Sequence, residues 1–407
     1  MMTMSEAPVA ASKKPLTRFG EFDLLKALAI LGLPAVHLME EAMEGGFVSP
    51  GLANLGNVVI FLCAFGPSVF MICMGFGIGG GKTPAKNIRA NGFQFLVIGM
   101  LLDIFRWLLP GLVQSIALHR YMLQDIDFCL QSDIYYFAGL YFILYSYFKQ
   151  WKIQIFGILL ISLLMLALNT LLTPVTGRLF PDLEDNDPTK DSVLLLVGGS
   201  ILGNFVYVDH TSCFPLLSWA IFPSVGVLLG EILKKTDEEQ RAIFMRRILC
   251  AATVVVVSFL VFLWSYKIDI LKVLVSPANK YITDLPNVIL LVSLALMLVS
   301  AFYYLCKRIG SSRFMAYMLR ISTFIIPFYL LQWLIVSWIV YLMTILKAPA
   351  GCLTTPIYLA CVAVITAFCM FITSRYGMKI MKQLLRITSF KRRKKANPEK
   401  TEIQKEK

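Results

Sequence analysis

Three ionisable side chains on one apolar stretch are the first indication of chemistry in this chain. Residues 18–41 read RFGEFDLLKALAILGLPAVHLMEE and place Asp23, Lys26 and His37 in a segment long enough to enter a membrane. On a helix the three fall on one side, with Lys26 one turn after Asp23 and close enough to form an ion pair with it. His37 lies about 16 Å beyond Lys26. Each ionisable group costs on the order of 3 kcal/mol at the centre of a membrane helix, so such groups usually face a cavity or a partner. This side of the helix is therefore the predicted working face.

His37 is the strongest candidate catalytic residue of the stretch. A neutral imidazole can take a proton from a hydroxyl or an amine, and Glu40 or Glu41 would lie close enough to orient the ring. The alternative is an interfacial histidine without a chemical role. Asp23 and Lys26 on the same face favour the catalytic interpretation, and the predicted catalytic set is His37, Glu40 and Asp23.

Further polar residues in apolar surroundings are candidates for binding a polar molecule that reacts at His37, called the acceptor below. His210 follows Asp209 just before an apolar run, where it either binds a polar acceptor and assists His37 or simply marks the helix entry. Both interpretations stay open. Asp133 lies near the start of another helix, where it is either hydrated or faces a cavity. Gln332 lies in a late helix, where Pro327 predicts a kink that could open backbone groups to a cavity. His210, Asp133 and Gln332 are the predicted acceptor-side residues.

The pair Asp103 and Arg106 lies in another apolar run. Two such residues three positions apart on an α-helix are expected to form an ion pair with each other. We therefore predict a structural role for this pair.

The composition indicates a polytopic membrane protein. Of the 407 residues, 57% are hydrophobic and 15% are charged, whereas a soluble domain carries about 25% charged residues. Residues 1–17 are polar and show no signal peptide. The predicted fold is an all-α, polytopic transmembrane bundle of about ten spanning helices, at residues 22–39, 54–78, 91–109, 129–148, 153–173, 212–233, 248–266, 286–306, 322–345 and 354–373.

The distribution of basic residues predicts the topology. Cations cluster before the first span and after every second one, which puts both termini in the cytoplasm. The expected organisation is a cytoplasmic segment at 1–21, a membrane bundle at 22–373 and a basic cytoplasmic tail at 374–407. Residues 375–407 hold twelve Lys or Arg against three Glu, a pattern that favours anionic membrane lipid as a partner over nucleic acid.

Two apolar or glycine-rich stretches need separate interpretation. Residues 192–208 are short and broken by glycines, so they are predicted to be a re-entrant piece within the outer loop 174–211. The run GFGIGGGKT resembles a phosphate-binding loop, but Phe76 stands where that motif requires glycine. Its glycines are expected to let the second and third spans approach closely or turn. None of the nine cysteines forms a CxxC pair, and no metal site is predicted.

The opening helix resembles that of the membrane acyltransferases, which comprise the type 3 acyltransferases and the heparan-α-glucosaminide N-acetyltransferase-like proteins. The resemblance lies in Asp23, two leucines, Lys26 in place of the family's arginine, a small-residue run and then His37 at the family's spacing. The segments MGFGI, SDIYYFAGLYF, FPLLSWAIFPSVGVLLG and FYLLQWLIV also resemble family helices in the same order. In type 3 enzymes the last segment often carries histidine at the position of Gln332.

The resemblance implies an acyl-CoA-dependent acyltransferase in a bacterial cytoplasmic membrane. An acyl group, usually acetyl, would pass from cytoplasmic acyl-CoA to a hydroxyl or amine of an envelope glycan or lipid-linked acceptor at the outer face. Lys26, Arg18 and Arg89 would bind the donor, and His37 would deprotonate the acceptor.

The alternative from another class is a transporter or exporter of a small polar molecule. Asp23, Lys26 and His37 would then form a proton or substrate relay. No inverted repeat is visible in the apolar spans, which disfavours this interpretation.

Overall fold

Helices account for the regular structure of the protein. A computed structural model describes residues 19–63, 65–119, 133–179, 193–208, 212–267, 285–310 and 312–388. Within these ranges the only β-type pairing is an isolated bridge between Val48 and Leu353. The all-α prediction is confirmed.

The described residues form fifteen α-helices and one π-helical turn. The π-helical turn spans Ile104–Leu108 and joins α4 to α5. The α-helices are α1 (Gly20–Glu44), α2 (Pro50–Cys63), α3 (Gly66–Ile78), α4 (Ala85–Asp103), α5 (Leu109–Leu118), α6 (Ile134–Gln150), α7 (Ile155–Leu179), α8 (Val193–Gly203), α9 (Leu216–Trp219), α10 (Ile221–Leu233), α11 (Glu238–Ser265), α12 (Leu285–Ile309), α13 (Arg313–Thr323), α14 (Ile325–Ile345) and α15 (Thr355–Thr388).

Eight of the described helical segments are long and apolar enough to cross a membrane, which agrees with an integral membrane protein. They are Gly20–Glu44, Ala85–Leu118, Ile155–Leu179, Leu216–Leu233, Glu238–Ser265, Leu285–Ile309, Ile325–Ile345 and Thr355–Ile387. The total of ten spans and the cytoplasmic placement of both termini stay predictions.

The span expected at 54–78 is two helices, α2 and α3. The second begins at Gly66, and Pro67 occupies its first turn. Proline lacks an N–H and is tolerated at that position because the first N–H groups of a helix have no partner within the helix. A Gly-Pro pair therefore divides an apolar run that hydropathy alone reads as continuous.

The glycines of the GFGIGGG run contact α10 rather than the third predicted span. A Cβ on Gly75 would lie 1.9 Å from the carbonyl oxygen of Pro223, and one on Gly226 would lie 2.0 Å from that of Ile72. Side chains at these positions would force the two backbones apart, so α3 and α10 pack as small-residue membrane helices do. The expected partner was wrong, while the expected turn is present at Gly80, whose φ is +62°.

Helix α1 lies at the centre of the bundle. It packs against α2, α3, α12, α13, α14 and α15. Its apolar residues Phe22, Leu24, Ala27, Ile30 and Leu38 are almost fully buried, and the Phe22 ring stacks on that of Phe76 with centroids 3.7 Å apart. The buried polar groups on α1, such as Asp23 and His37, therefore meet other helices instead of lipid.

The breaks elsewhere fall close to the predicted positions. The chain breaks between α13 and α14 at Phe324, so Pro327 lies in the first turn of α14 rather than at a kink within it. Helix α8 is eleven residues long, and the chain after it pairs through Leu216 N–H and the carbonyl oxygen of Asn204 at 2.9 Å. Its re-entrant placement stays a prediction.

Candidate functional site

Asp23 and Lys26 form the predicted ion pair near the start of α1. The Nζ of Lys26 lies 2.9 Å from Oδ1 of Asp23. The Ser322 hydroxyl on α13 donates to the same carboxylate oxygen at 2.6 Å. Asp23 is buried and is bonded by Lys26 and Ser322, whereas the Lys26 side chain keeps 28% exposure.

His37 is buried near the other end of α1 and is held by two residues of α14. Its Nδ1 lies 3.1 Å from Oε1 and 2.9 Å from Nε2 of Gln332. Its ring stacks on the indole of Trp333, with centroids 3.6 Å apart and planes 16° from parallel, and Tyr329 approaches it edge-on at 6.1 Å. The amide and the indole together fix both the position and the plane of the imidazole.

The amide of Gln332 is a hydrogen-bond partner of the His37 ring. Glu41 lies one turn after His37 on α1, and its Oε1 accepts a hydrogen bond from Nη2 of Arg106 at 3.0 Å. Glu40 is half-buried, and its catalytic role stays a prediction. Glu41 belongs to the Arg106 cluster beside His37.

Arg106 reaches this cluster from the π-helical turn. A π-helix carries one extra residue in its turn and changes the direction of its side chains, and such turns are frequent at functional sites. The turn docks on α14, where Nε1 of Trp338 donates to the carbonyl oxygen of Phe105 at 3.1 Å. The Arg106 guanidinium lies between two indoles, 4.2 Å from the ring centroid of Trp107 and 3.2 Å from that of Trp333.

The ion pair expected between Asp103 and Arg106 is replaced by other partners. Asp103 accepts a hydrogen bond from the Tyr136 hydroxyl at 2.7 Å, and Arg106 pairs with Glu41 and Asp133. The expectation assumed α-helical spacing, and the π-helical turn after Asp103 removes that condition. The prediction of a purely structural pair was therefore wrong.

Asp133 joins the cluster from the start of α6. Its Oδ2 lies 3.8 Å from Nη1 of Arg106, and its Oδ1 accepts a hydrogen bond from the Tyr329 hydroxyl at 2.7 Å. The same carboxylate caps α6 by accepting from the backbone N–H of Ile134. One cation thus faces two carboxylates, Glu41 and Asp133, with all three side chains no more than 12% exposed. Such a buried group of charges is expensive to desolvate, so each charge depends on its partners.

The predicted site residues fall into two groups in the structure, the Asp23–Lys26 pair and a cluster around His37. His37, Gln332 and Asp133 come together, and Tyr329 contacts both His37 and Asp133. Arg89 lies on α4, with its guanidinium 5.2 Å from the ring centroid of Tyr147 on α6. Arg18 and His210 lie outside the described residues.

Sequence reasoning missed the roles of three residues in this cluster. Tyr329 and Trp333 were hidden because aromatic residues in an apolar helix usually indicate packing. Arg106 carried a usable signal, since an arginine within an apolar run of spanning length is by default a functional candidate. The assumed local pair with Asp103 concealed it.

Comparisons with known proteins give one match. The family model described as "Heparan-alpha-glucosaminide N-acetyltransferase, catalytic" matches residues 18–259, which is more than half of the chain. No curated protein and no solved structure matches the chain at a significant level. The matched range includes His37, Glu41, Arg106 and Asp133, whereas α14, which supplies Gln332, lies beyond it.

Proposed function

Because the chain belongs to the family of heparan-alpha-glucosaminide N-acetyltransferase catalytic domains, we propose that it transfers an acetyl group from acetyl-CoA to a hydroxyl or amine, with His37 as general base. The observation that carries this proposal is the arrangement of His37 on α1. The ring is buried, hydrogen-bonded through Nδ1 to Gln332 and stacked on Trp333. A general base needs such a fixed position to meet the proton that it removes.

Nδ1 of His37 lies within hydrogen-bond distance of both polar atoms of the Gln332 amide, and the proposed mechanism uses the tautomer in which Nδ1–H donates to Oε1. When Nδ1–H donates to Oε1 of Gln332, at 3.1 Å, the neutral ring carries its lone pair on Nε2. Nε2 then takes the proton of the acceptor hydroxyl or amine while the acceptor oxygen or nitrogen bonds to the thioester carbonyl carbon. The carbon–sulfur bond breaks, the electron pair leaves with the CoA sulfur, and a proton returns to that sulfur.

Donor binding is assigned to the opposite end of α1. Lys26 would bind a phosphate of acetyl-CoA as a point charge, with Arg18 and Arg89 as further cations. Asp23 would compete with that phosphate for Lys26, because the two side chains are paired at 2.9 Å. The distance of about 16 Å along α1 separates the phosphate end of the donor from the reacting thioester near His37.

The acceptor would approach the His37 end of the bundle. Asp133, Gln332 and His210 are the proposed acceptor-side residues, and a sugar of the cell envelope at the outer face of a bacterial cytoplasmic membrane is the proposed acceptor class. Carboxylate and amide groups can orient hydroxyl or amino groups by hydrogen bonding. Asp133 and Gln332 lie in the same buried cluster as the proposed base.

Proteoliposomes test this proposal against the transporter alternative. Purified protein is reconstituted with acetyl-CoA on one side and a panel of amino and hydroxy sugars on the other, and the free CoA thiol and acetylated sugar are measured. We expect thiol release that depends on the added sugar and equals the acetylated product formed. Sugar that crosses the bilayer unmodified, without thiol release, would favour the transporter.

A further inference from the structure

The indole of Trp333 lies between two other planar groups. The His37 ring stacks on it at 3.6 Å, and the Arg106 guanidinium lies 3.2 Å from the centroid of the same ring. His37, Trp333 and Arg106 come from α1, α14 and the π-helical turn. The stack therefore joins three separate parts of the chain at the proposed base.

Arg106 is itself held from three directions. Glu41 bonds its Nη2 at 3.0 Å, Asp133 lies 3.8 Å from its Nη1, and Trp107 covers it at 4.2 Å. Its Nε is buried and has no hydrogen-bond partner among the described groups. The indoles of Trp107 and Trp333 lie against the guanidinium, so stacking as well as ion pairing sets its position.

A flat cation on an indole restrains it better than a compact one does. The guanidinium is planar and stacks on aromatic faces, whereas the lysine ammonium is a point charge on a flexible stem. With Arg106 in place, Trp333 has no freedom to tilt away from the imidazole. The plane of the His37 ring is then fixed by the indole, and its rotation is fixed by Gln332.

We propose that Arg106 is a positioning residue for His37 and acts through Trp333. This inference rests on the proposed function, since it concerns the placement of the base. No contact between Arg106 and the donor or acceptor is proposed. Its loss should therefore lower kcat while leaving the KM for acetyl-CoA unchanged.

Arg106→Lys is the main test because it keeps the charge facing Glu41 and Asp133. We expect kcat to fall about 10- to 100-fold, the effect of a small misplacement of a reacting group, with the KM for acetyl-CoA within about twofold of the wild-type value. Trp333→Leu should lower kcat at least as much, and Trp333→Phe, which keeps a stacking ring, should lower it less.

Arg241→Lys is the matched control. Arg241 is as buried as Arg106, pairs with Glu21 on α1 and lies over the rings of Phe19 and Tyr303, but none of these is a described neighbour of His37. Its kcat should stay within about twofold of wild type. Melting in detergent shows whether each variant is folded.

The possible outcomes separate this inference from the proposed function. The inference is wrong if Arg106→Lys keeps the wild-type kcat and changes only the KM for acetyl-CoA. It is also wrong if the kcat of Arg106→Lys falls no more than that of Arg241→Lys. If Arg106→Lys does not fold, equal kcat values for Trp333→Leu and wild type overturn it. If instead His37→Ala retains full activity, the proposed function fails, whatever the Arg106 variants do.

Discussion

Two buried arginines, Arg106 and Arg241, have closely similar surroundings near opposite ends of α1. Each pairs with a glutamate of that helix, Glu41 in one case and Glu21 in the other. Each lies over two aromatic rings, and each side chain is 12% exposed. Each has a second acidic partner as well, Asp133 or Glu238.

The two clusters differ in what lies beyond the rings. The Trp333 ring that covers Arg106 also stacks on the His37 ring. The hydroxyl of Tyr303, a ring partner of Arg241, donates to Glu238 at 2.9 Å, and Lys307 lies 3.0 Å from the same carboxylate. That second network opens to the surroundings, because the Glu238 side chain is 63% exposed.

The comparison shows that a buried ion pair does not identify a site. Both arginines neutralise a glutamate that would otherwise be costly within the bundle, and both tie α1 to neighbouring helices. Only the Arg106 cluster includes a group that can accept a proton near neutral pH. The Arg241 cluster is therefore a natural reference for separating stability from chemistry.

The largest expected effect comes from removing each arginine. Arg106→Leu leaves Glu41 and Asp133 buried without their cation, and loss of one partner of a buried pair costs about 3–5 kcal/mol. Arg241→Leu should cost less, because it leaves one buried carboxylate, that of Glu21, without its cation instead of two. Its other acidic partner, Glu238, is largely exposed and keeps Lys307. Melting temperatures in one detergent measure both losses.

A second change checks the physical cause of that difference. Adding Glu41→Gln to Arg106→Leu should reverse part of the decrease in melting temperature, because it removes one of the two unpaired charges. An Arg241→Leu variant that melts as low as Arg106→Leu, or a double variant without recovery, would contradict the assigned electrostatic difference.

A smaller effect on activity is expected at Gln332, whose amide bonds the His37 ring. The described contacts of Arg241 include no such amide. Gln332→Leu removes the acceptor for Nδ1–H of His37, so we expect kcat to fall about 10- to 100-fold with the protein still folded. Gln332→Glu keeps an acceptor oxygen and should retain more activity than the leucine variant. Gln240→Leu, at an exposed glutamine, should leave kcat unchanged. Equal kcat for Gln332→Leu and wild type would remove Gln332 from the mechanism.

Local spacing in the sequence was enough for part of the fold and the site. The apolar runs predicted the helical class, and the three-residue spacing of Asp23 and Lys26 predicted their ion pair, because both properties belong to a single helix. The Gly-Pro pair at 66–67 was visible but was not read as a helix boundary. Hydropathy averages over such a break.

Contacts between distant segments were beyond that reasoning. Gln332 reaches His37 across 295 positions, and no periodicity within either helix encodes which faces meet. The π-helical turn was equally hidden, since its extra residue produces no distinctive composition. It directs Arg106 to Glu41 and Asp133, and for that reason the predicted Asp103–Arg106 pair was wrong.

The most direct test of the central claim is to measure acetyl transfer by variants in which one histidine at a time is replaced. With isotopically labelled acetyl-CoA and a sugar acceptor that the wild type uses, the labelled product is followed for His37→Ala and for His119→Asn. His119 is exposed and has a φ of 53°, a conformation that asparagine accepts, so it is a suitable histidine control. We predict loss of product by about 100-fold or more for His37→Ala and wild-type rates for His119→Asn. Wild-type product formation by folded His37→Ala protein would contradict the account.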